Sequence, residues 1–161
     1  MAHTRPSRIP RGYHSATPFL TVKDIGQSID LYRRAFGAEE RMRVPGPDGK
    51  QVMHAELQIG DSVLMLGHEA PERGCFAPAS LKGTTGGLYL YVGDVDAAVA
   101  RASEAGCTVT MPATDMFWGD RVGEVQDPSG HRWDLATHKE DLTPEETARR
   151  AQKWYASKDA S

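Results

Sequence analysis

The feature that most constrains this chain is that it repeats itself at a fixed distance. Val22, Asp24, Ile29 and Ala35 find counterparts 70 positions on in Val92, Asp94, Val99 and Ala105, and Gly49, Val52 and Gly60 do so in Gly119, Val122 and Gly130. A register held over that length marks one structural unit used twice. The chain of 161 residues, with 39% hydrophobic and 25% charged residues, carries enough apolar material for one ordinary core.

Within the first copy, Pro18, Leu20 and Val22 alternate with Thr17, Phe19 and Thr21, the period of a strand with one face on a core. Asp24 then caps a helix in which Ile25, Ile29, Tyr32 and Phe36 recur at helical spacing, with Gln27 in the first turn and Gly37 as the stop. Strands follow over 40–44, 52–59 and 62–66, separated by the turns Pro45-Gly46-Pro47-Asp48-Gly49 and Gly60-Asp61. The second copy reads alike: a strand through Leu88, Leu90 and Val92, a helix from Asp94 to Ala105 stopped by Gly106, and strands over 107–111, 121–126 and 131–136. Its last turn is Asp127-Pro128-Ser129-Gly130. Thr143-Pro144-Glu145-Glu146 opens a polar C-terminal helix reaching about Ser157, which packs on the outside or on a partner subunit.

Each βαβββ unit alone leaves one sheet face bare. The expected fold is therefore α+β, two such modules closing round a concavity as a cupped, partly open mixed-sheet barrel with the helices outside. The expected divisions are a flexible tail over 1–12, a domain over 13–139 (modules 13–67 and 86–139, connecting arm 68–85), and a C-terminal helix and tail over 140–161. Arms of that length often serve as binding elements or dimer contacts.

The net charge of −3 gives no general attraction to nucleic acid or to an anionic membrane, although Arg5, Arg8 and Arg11 make the first stretch basic. No apolar run follows them, as a secretory signal or a transmembrane helix requires, so a cytoplasmic protein is expected. Cys75 and Cys107 lack CxxC spacing and read as two free thiols, with a reactive Cys75 in the arm as the alternative.

Strand alternation sorts the faces. Met53, Ala55, Leu57 and Ile59 form the row that meets a helix, and the opposite row carries His54, Glu56 and Gln58, with Val122, Glu124 and Gln126 in the second copy. Thr17, Phe19, Thr21, Tyr89, Tyr91 and Asp134 join that row. Aromatic walls with a few polar groups suit a small molecule. His54 and Glu56 could form an acid/base pair or a merely hydrogen-bonded polar row. Asp134 could move protons from a concave site, or simply meet an arginine. Tyr89 and Tyr91 could stack on a ligand or donate hydrogen bonds to it, against the plain reading that tyrosine favours strands. Met116, Phe117 and Trp118 are large for a loop and are expected to form a lid or pocket wall. Asp120-Arg121 is expected to orient that loop by an ion pair, and His131 and His138 to make local hydrogen bonds.

Tyr13-His14-Ser15 leading to Pro18-Phe19-Leu20, Met53-His54-Ala55-Glu56-Leu57, Gly119-Asp120-Arg121, and Asp127 to Trp133 with Ala136-Thr137-His138 behind them make a set. In these motifs, over about residues 13 to 150, the chain resembles the glyoxalase, bleomycin-resistance and dioxygenase (vicinal oxygen chelate) superfamily, and within it the PhnB-like branch. That resemblance implies a cup that often holds a divalent metal through the first and last strand of each copy. By the 70-residue register those positions are Thr17, Gly87, Leu64 and Asp134. Of these only Asp134 is a good donor, too few for zinc, iron, nickel or manganese. No cofactor is therefore expected, a displaced metal site being the exception. The expected function is capture of a small aromatic or amphipathic molecule, in the manner of the resistance-type members and as a homodimer, with Thr17, Phe19, Tyr89, Tyr91, Glu124, Phe117 and Trp118 as its contacts. The alternative is an enzyme, a glyoxalase-like lyase or isomerase or a metal-free cyclase or epimerase, in which Asp134, Glu56 or His54 transfers protons. A dioxygenase fits less well, and an interaction module built on the arm and the tail helix is a third reading.

Overall fold

The structure, a computed structural model, describes residues 7–159. Of the basic tail expected over 1–12, residues 1–6 lie outside the described residues, and 7–12 form neither helix nor strand. The chain divides into two compact units, Met1–Gly83 and Thr84–Ser161.

The first unit runs β1 (Phe19–Val22), α1 (Ile25–Phe36), β2 (Glu39–Pro45), β3 (Val52–Ile59) and β4 (Ser62–His68). Its sheet has the order β1-β4-β3-β2, with β1 and β4 parallel and the other pairs antiparallel. Asp24 caps α1 as its spacing predicts, Oδ1 accepting from the Gln27 amide at 2.8 Å, and Gly37 ends it in the left-handed region at φ 68°. The stripe Ile25, Ile29, Tyr32 and Ala35 is buried, as are Val22, Ala55, Leu57 and Leu66 of the sheet. Each large side chain so buried contributes roughly 1.5–3 kcal/mol.

The arm that follows holds a 3-10 turn (Pro71–Arg73) and the short α2 (Pro78–Leu81). Neither Cys75 nor Cys107 is disulfide-bonded.

The second unit repeats the order: β5 (Gly87–Tyr91), α3 (Val95–Ala105), β6 (Thr108–Asp115), β7 (Asp120–Gln126) and β8 (Arg132–His138), in the sheet β5-β8-β7-β6. Asp94 caps α3 on the Ala97 amide at 3.0 Å. Val95, Ala98 and Ala102 are buried with Val125, Trp133 and Leu135. Helix and sheet approach so closely that a Cβ on Gly123 would stand 2.5 Å from Val99 Cγ2. β6 runs four residues further than the expected end at Met111; its ladder shifts register between Val109 and Met111 and again between Met111 and Thr114. Those irregularities accommodate Pro112, which has no amide to give the ladder. Thr143 caps α4 (Pro144–Asp159), its hydroxyl accepting from the Glu146 amide at 3.2 Å.

Two four-stranded mixed sheets, each with a helix on one side, give the expected α+β fold of two βαβββ modules, without a closed barrel. Among the described residues no helix is long and apolar enough to cross a membrane.

One expectation is corrected. The constant 70-residue offset made Leu64 the counterpart of Asp134, but Leu64 pairs with Leu57 and is buried, whereas Met65 holds Asp134's place. Met65 lies opposite Phe19 and Glu56, as Asp134 lies opposite Tyr89 and Glu124. The cause is length. Between β1 and β3 the second unit is two residues shorter, one of them in the helix (12 residues in α1, 11 in α3) and one on the way from Met111 to Glu124 as against Met42 to Glu56, and the turn before β8 gives one back. A slip of one residue puts a strand side chain on the other face of its sheet.

Candidate functional site

On the first sheet the face away from α1 carries Phe19, His54, Glu56, Gln58, Met65, Met42 and Val44, cross-strand neighbours by register. Glu56 is its polar centre. It is only 6% exposed, accepts a hydrogen bond from the Tyr13 hydroxyl through Oε2, and has His54 Nε2 at 3.4 Å from Oε1. Tyr13 is held in turn by the Arg41 guanidinium, 4.7 Å from its ring centroid. The bond to Glu56 is also the main reason its phenol titrates above the usual value. Phe19 stacks on His54 at 6.0 Å between ring centroids and leans over Gly67, where a Cβ would stand 2.6 Å from the ring. Thr17 lies just ahead of β1, its hydroxyl donating to the His14 carbonyl at 3.0 Å.

On the second sheet the matching face gathers Tyr89 and Tyr91 from β5, Asp120, Val122 and Glu124 from β7, and Arg132, Asp134 and His138 from β8. Asp120, 4% exposed, accepts from Tyr89 at 2.9 Å and Tyr91 at 3.2 Å through Oδ2, and meets His138 Nδ1 at 2.7 Å through Oδ1. Burial pushes its pKa up, but these three partners outweigh burial and hold it below the usual carboxylate range. The same contacts raise the others. His138, whose other nitrogen faces Asp141 at 3.0 Å, is raised by its two carboxylates, and Tyr89 is pushed up to about 12, mainly by burial. The Trp118 indole N–H donates to the Tyr89 hydroxyl at 3.3 Å, and the two tyrosine rings meet edge to face at 5.3 Å.

Beside this network, Arg132 Nε lies 3.3 Å from Asp134 and 3.6 Å from Glu124, which also accepts from Thr110 at 2.6 Å. Burial raises the Asp134 pKa; Arg132 opposes the rise and Glu124 adds to it. Asp134 is thus a half-buried carboxylate with a raised pKa that also meets an arginine.

Phe117 is placed differently from a lid. Its ring packs 4.9 Å from Trp118, 5.6 Å from Trp154 and 6.1 Å from Tyr155, so it seats α4 on the β6–β7 turn. The expected ion pair of Arg121 runs to Asp96 and Asp115, at 2.8 Å and 3.1 Å. Asp120 therefore has other partners than its neighbour, and its role as a hub, like that of Tyr13, was not read from sequence. Its parity with Val122, Glu124 and Gln126 was the available signal, since all four share one face.

Gly87 has no side-chain donor, Met65 offers only a thioether, and Asp134 is paired with Arg132. Among the described residues no group of three or more His, Cys, Asp or Glu side chains is gathered so as to hold a metal ion.

A family model described as the Glyoxalase/Bleomycin resistance protein/Dioxygenase superfamily matches residues 13–135. An uncharacterized protein of Mycobacterium tuberculosis is 46% identical over 123 residues, 74% of this chain and 71% of that one. The crystal structure of TioX from Micromonospora sp. superposes with a TM-score of 0.60 at 25% identity, covering 81% of this chain and all of that one. The fosfomycin resistance protein FosX of Listeria monocytogenes, crystallised with Mn(II), superposes with a TM-score of 0.60 over 86% of this chain and 97% of its own, and at 17% identity shows the likeness of fold alone.

Proposed function

The chain belongs to the glyoxalase/bleomycin resistance protein/dioxygenase superfamily, and from that membership we propose that it captures a small aromatic or amphipathic molecule on its helix-free sheet faces, without a resident metal. One observation carries the reading: Phe19, Tyr89 and Tyr91 are 56%, 43% and 62% exposed although they sit in strands beside buried carboxylates. Exposed rings held still by a polar anchor are what a planar ligand needs to bind without ordering its own site. The acid/base candidates are each already engaged, Glu56 and His54 with each other, Glu56 also by Tyr13, and Asp134 by Arg132. That favours holding over turnover. The reading extends to a cytoplasmic homodimer of the PhnB-like branch.

Equilibrium binding of anilinonaphthalene sulfonate tests it. Wild-type protein is expected to bind the dye, with Tyr91→Ala and Phe19→Ala each weakening it several-fold; affinity unchanged in both variants overturns the reading. Elemental analysis of untagged protein is expected to find less than stoichiometric metal.

The raised pKa of Asp134 favours a second reading, a metal-free lyase, isomerase or epimerase that moves a proton at this carboxylate. Asp134→Ala separates the two. A catalyst loses turnover with its fold intact, whereas a sequestering protein changes only in affinity.

A further inference from the structure

The two phenols of β5 give their protons to one acceptor. Tyr89 and Tyr91 both donate to Asp120 Oδ2, while the other carboxylate oxygen meets His138. A phenol has one proton to donate and lone pairs to accept with, so both side chains are spent as donors. Tyr89 is further committed, because it accepts the Trp118 indole N–H. Tyr91, the more exposed ring, is left with acceptor capacity. The neighbouring polar groups have the same character. Glu124 and Asp134 accept when ionised; Arg132 is the exception, bringing Nε to both of them and keeping its other N–H donors.

We infer that Asp120 sets the hydrogen-bonding polarity of this face, turning two tyrosines from donors into acceptors, so that the face takes a planar molecule that brings its own hydrogen-bond donors. The inference rests on the binding reading above and adds the ligand class to it. Asp120 is a positioning residue: it touches the tyrosines and acts through them. A ligand offering only acceptors meets lone pairs at the two tyrosines and leaves its polar group unsatisfied there, a selectivity that a site made of buried or half-buried polar groups enforces well.

Naphthol and its methyl ether methoxynaphthalene test this on the full chain, the same neutral ring with and without a donor, titrated calorimetrically. Wild-type protein is expected to bind naphthol about fivefold to tenfold more tightly. In Asp120→Ala no side-chain acceptor is left for the two phenols, their protons are released to a ligand, and the ratio should fall toward one. The tyrosine bands in the near-ultraviolet circular dichroism should weaken with it, a readout that needs no ligand. Tyr91→Phe, which keeps the ring and the carboxylate, should cut naphthol affinity and leave methoxynaphthalene unchanged; it serves if Asp120→Ala does not fold. Equal affinity of wild-type protein for the two probes overturns the inference and leaves the binding reading standing. A naphthol preference that survives both substitutions overturns it as well. Failure of both probes to bind wild-type protein overturns the binding reading and the inference together.

Discussion

The two units solve one problem in different ways. Each presents a carboxylate, buried to within a few per cent, on the helix-free face of its third strand, Glu56 in the first and Asp120 in the second. Glu56 lies mid-strand between Met42 and Met65, and its hydroxyl donor comes from Tyr13, 43 residues away and ahead of β1. Asp120 opens its strand and draws its partners from β5 and β8 of its own sheet. The place that matches Glu56 is taken by Glu124, where the partner strand offers Asp134 and Arg132 in exchange for Met65 and Val63. A shared backbone plan thus leaves the polar centre free to move along a strand, provided donors lie within reach.

The largest expected effect tests the cores behind these faces. Trp133 and Leu64 hold matched positions and are 1% and 3% exposed. Trp133→Ala should cost about 3–5 kcal/mol and Leu64→Ala about 2–5 kcal/mol, in urea denaturation. A negligible loss at Trp133 would break the match. Next comes Asp120→Ala, which strands three partners and should cost about 1–3 kcal/mol by the same measurement. Tyr13→Phe should lower the melting temperature more than Tyr91→Phe, because Asp120 retains Tyr89 and His138 while Glu56 keeps, among the described residues, only His54. The reverse order would show that Tyr13 is not an anchor.

Smaller still is the dependence on pH. The folded pKa of His138 is raised above its unfolded value near ~6.5, so its contribution is fully present below about pH 6.5 and is lost as pH rises through the folded value. Asp120, being depressed, contributes above its unfolded value and loses that contribution as pH falls through the folded one. His138→Gln should flatten the melting-temperature profile on the alkaline side and, since His138 helps to hold the Asp120 pKa down, weaken the acid limb as well. Smallest of all, Asp96→Ala removes an exposed partner of Arg121 and should shift the melting temperature less than any change above.

Much of the fold was legible because it rests on local rules. Asp24 with Gly37 bounds one helix and Asp94 with Gly106 the other, and alternation along 52–59 sorts the faces of β3 as the ladder does. The site was legible in part. Phe19, His54, Glu56, Tyr89, Tyr91, Glu124 and Asp134 do lie on helix-free faces, but which of them meet depends on side-chain reach across strands. Asp120 was assigned to the same loop-orienting role as Arg121, although adjacent strand residues point to opposite faces. Tyr13 to Glu56 is a contact that periodicity cannot supply, and Phe117 was read as part of a lid or pocket wall without its packing partner α4, which lies far along the chain.

The changing distance between matched positions has a consequence for natural variation. First strands correspond at 70 residues, Glu56 and Glu124 at 68, and Met65 and Asp134 at 69, with the adjustments at helix ends and turns. A residue gained or lost within a paired strand would turn every later side chain of that strand inside out, whereas one at a turn alters only a connection. In related sequences, length changes are therefore expected at the bends. Aligning two such chains demands resetting the count at every bend, since a single uniform shift mislabels the final strand and with it the row on which any ligand would rest.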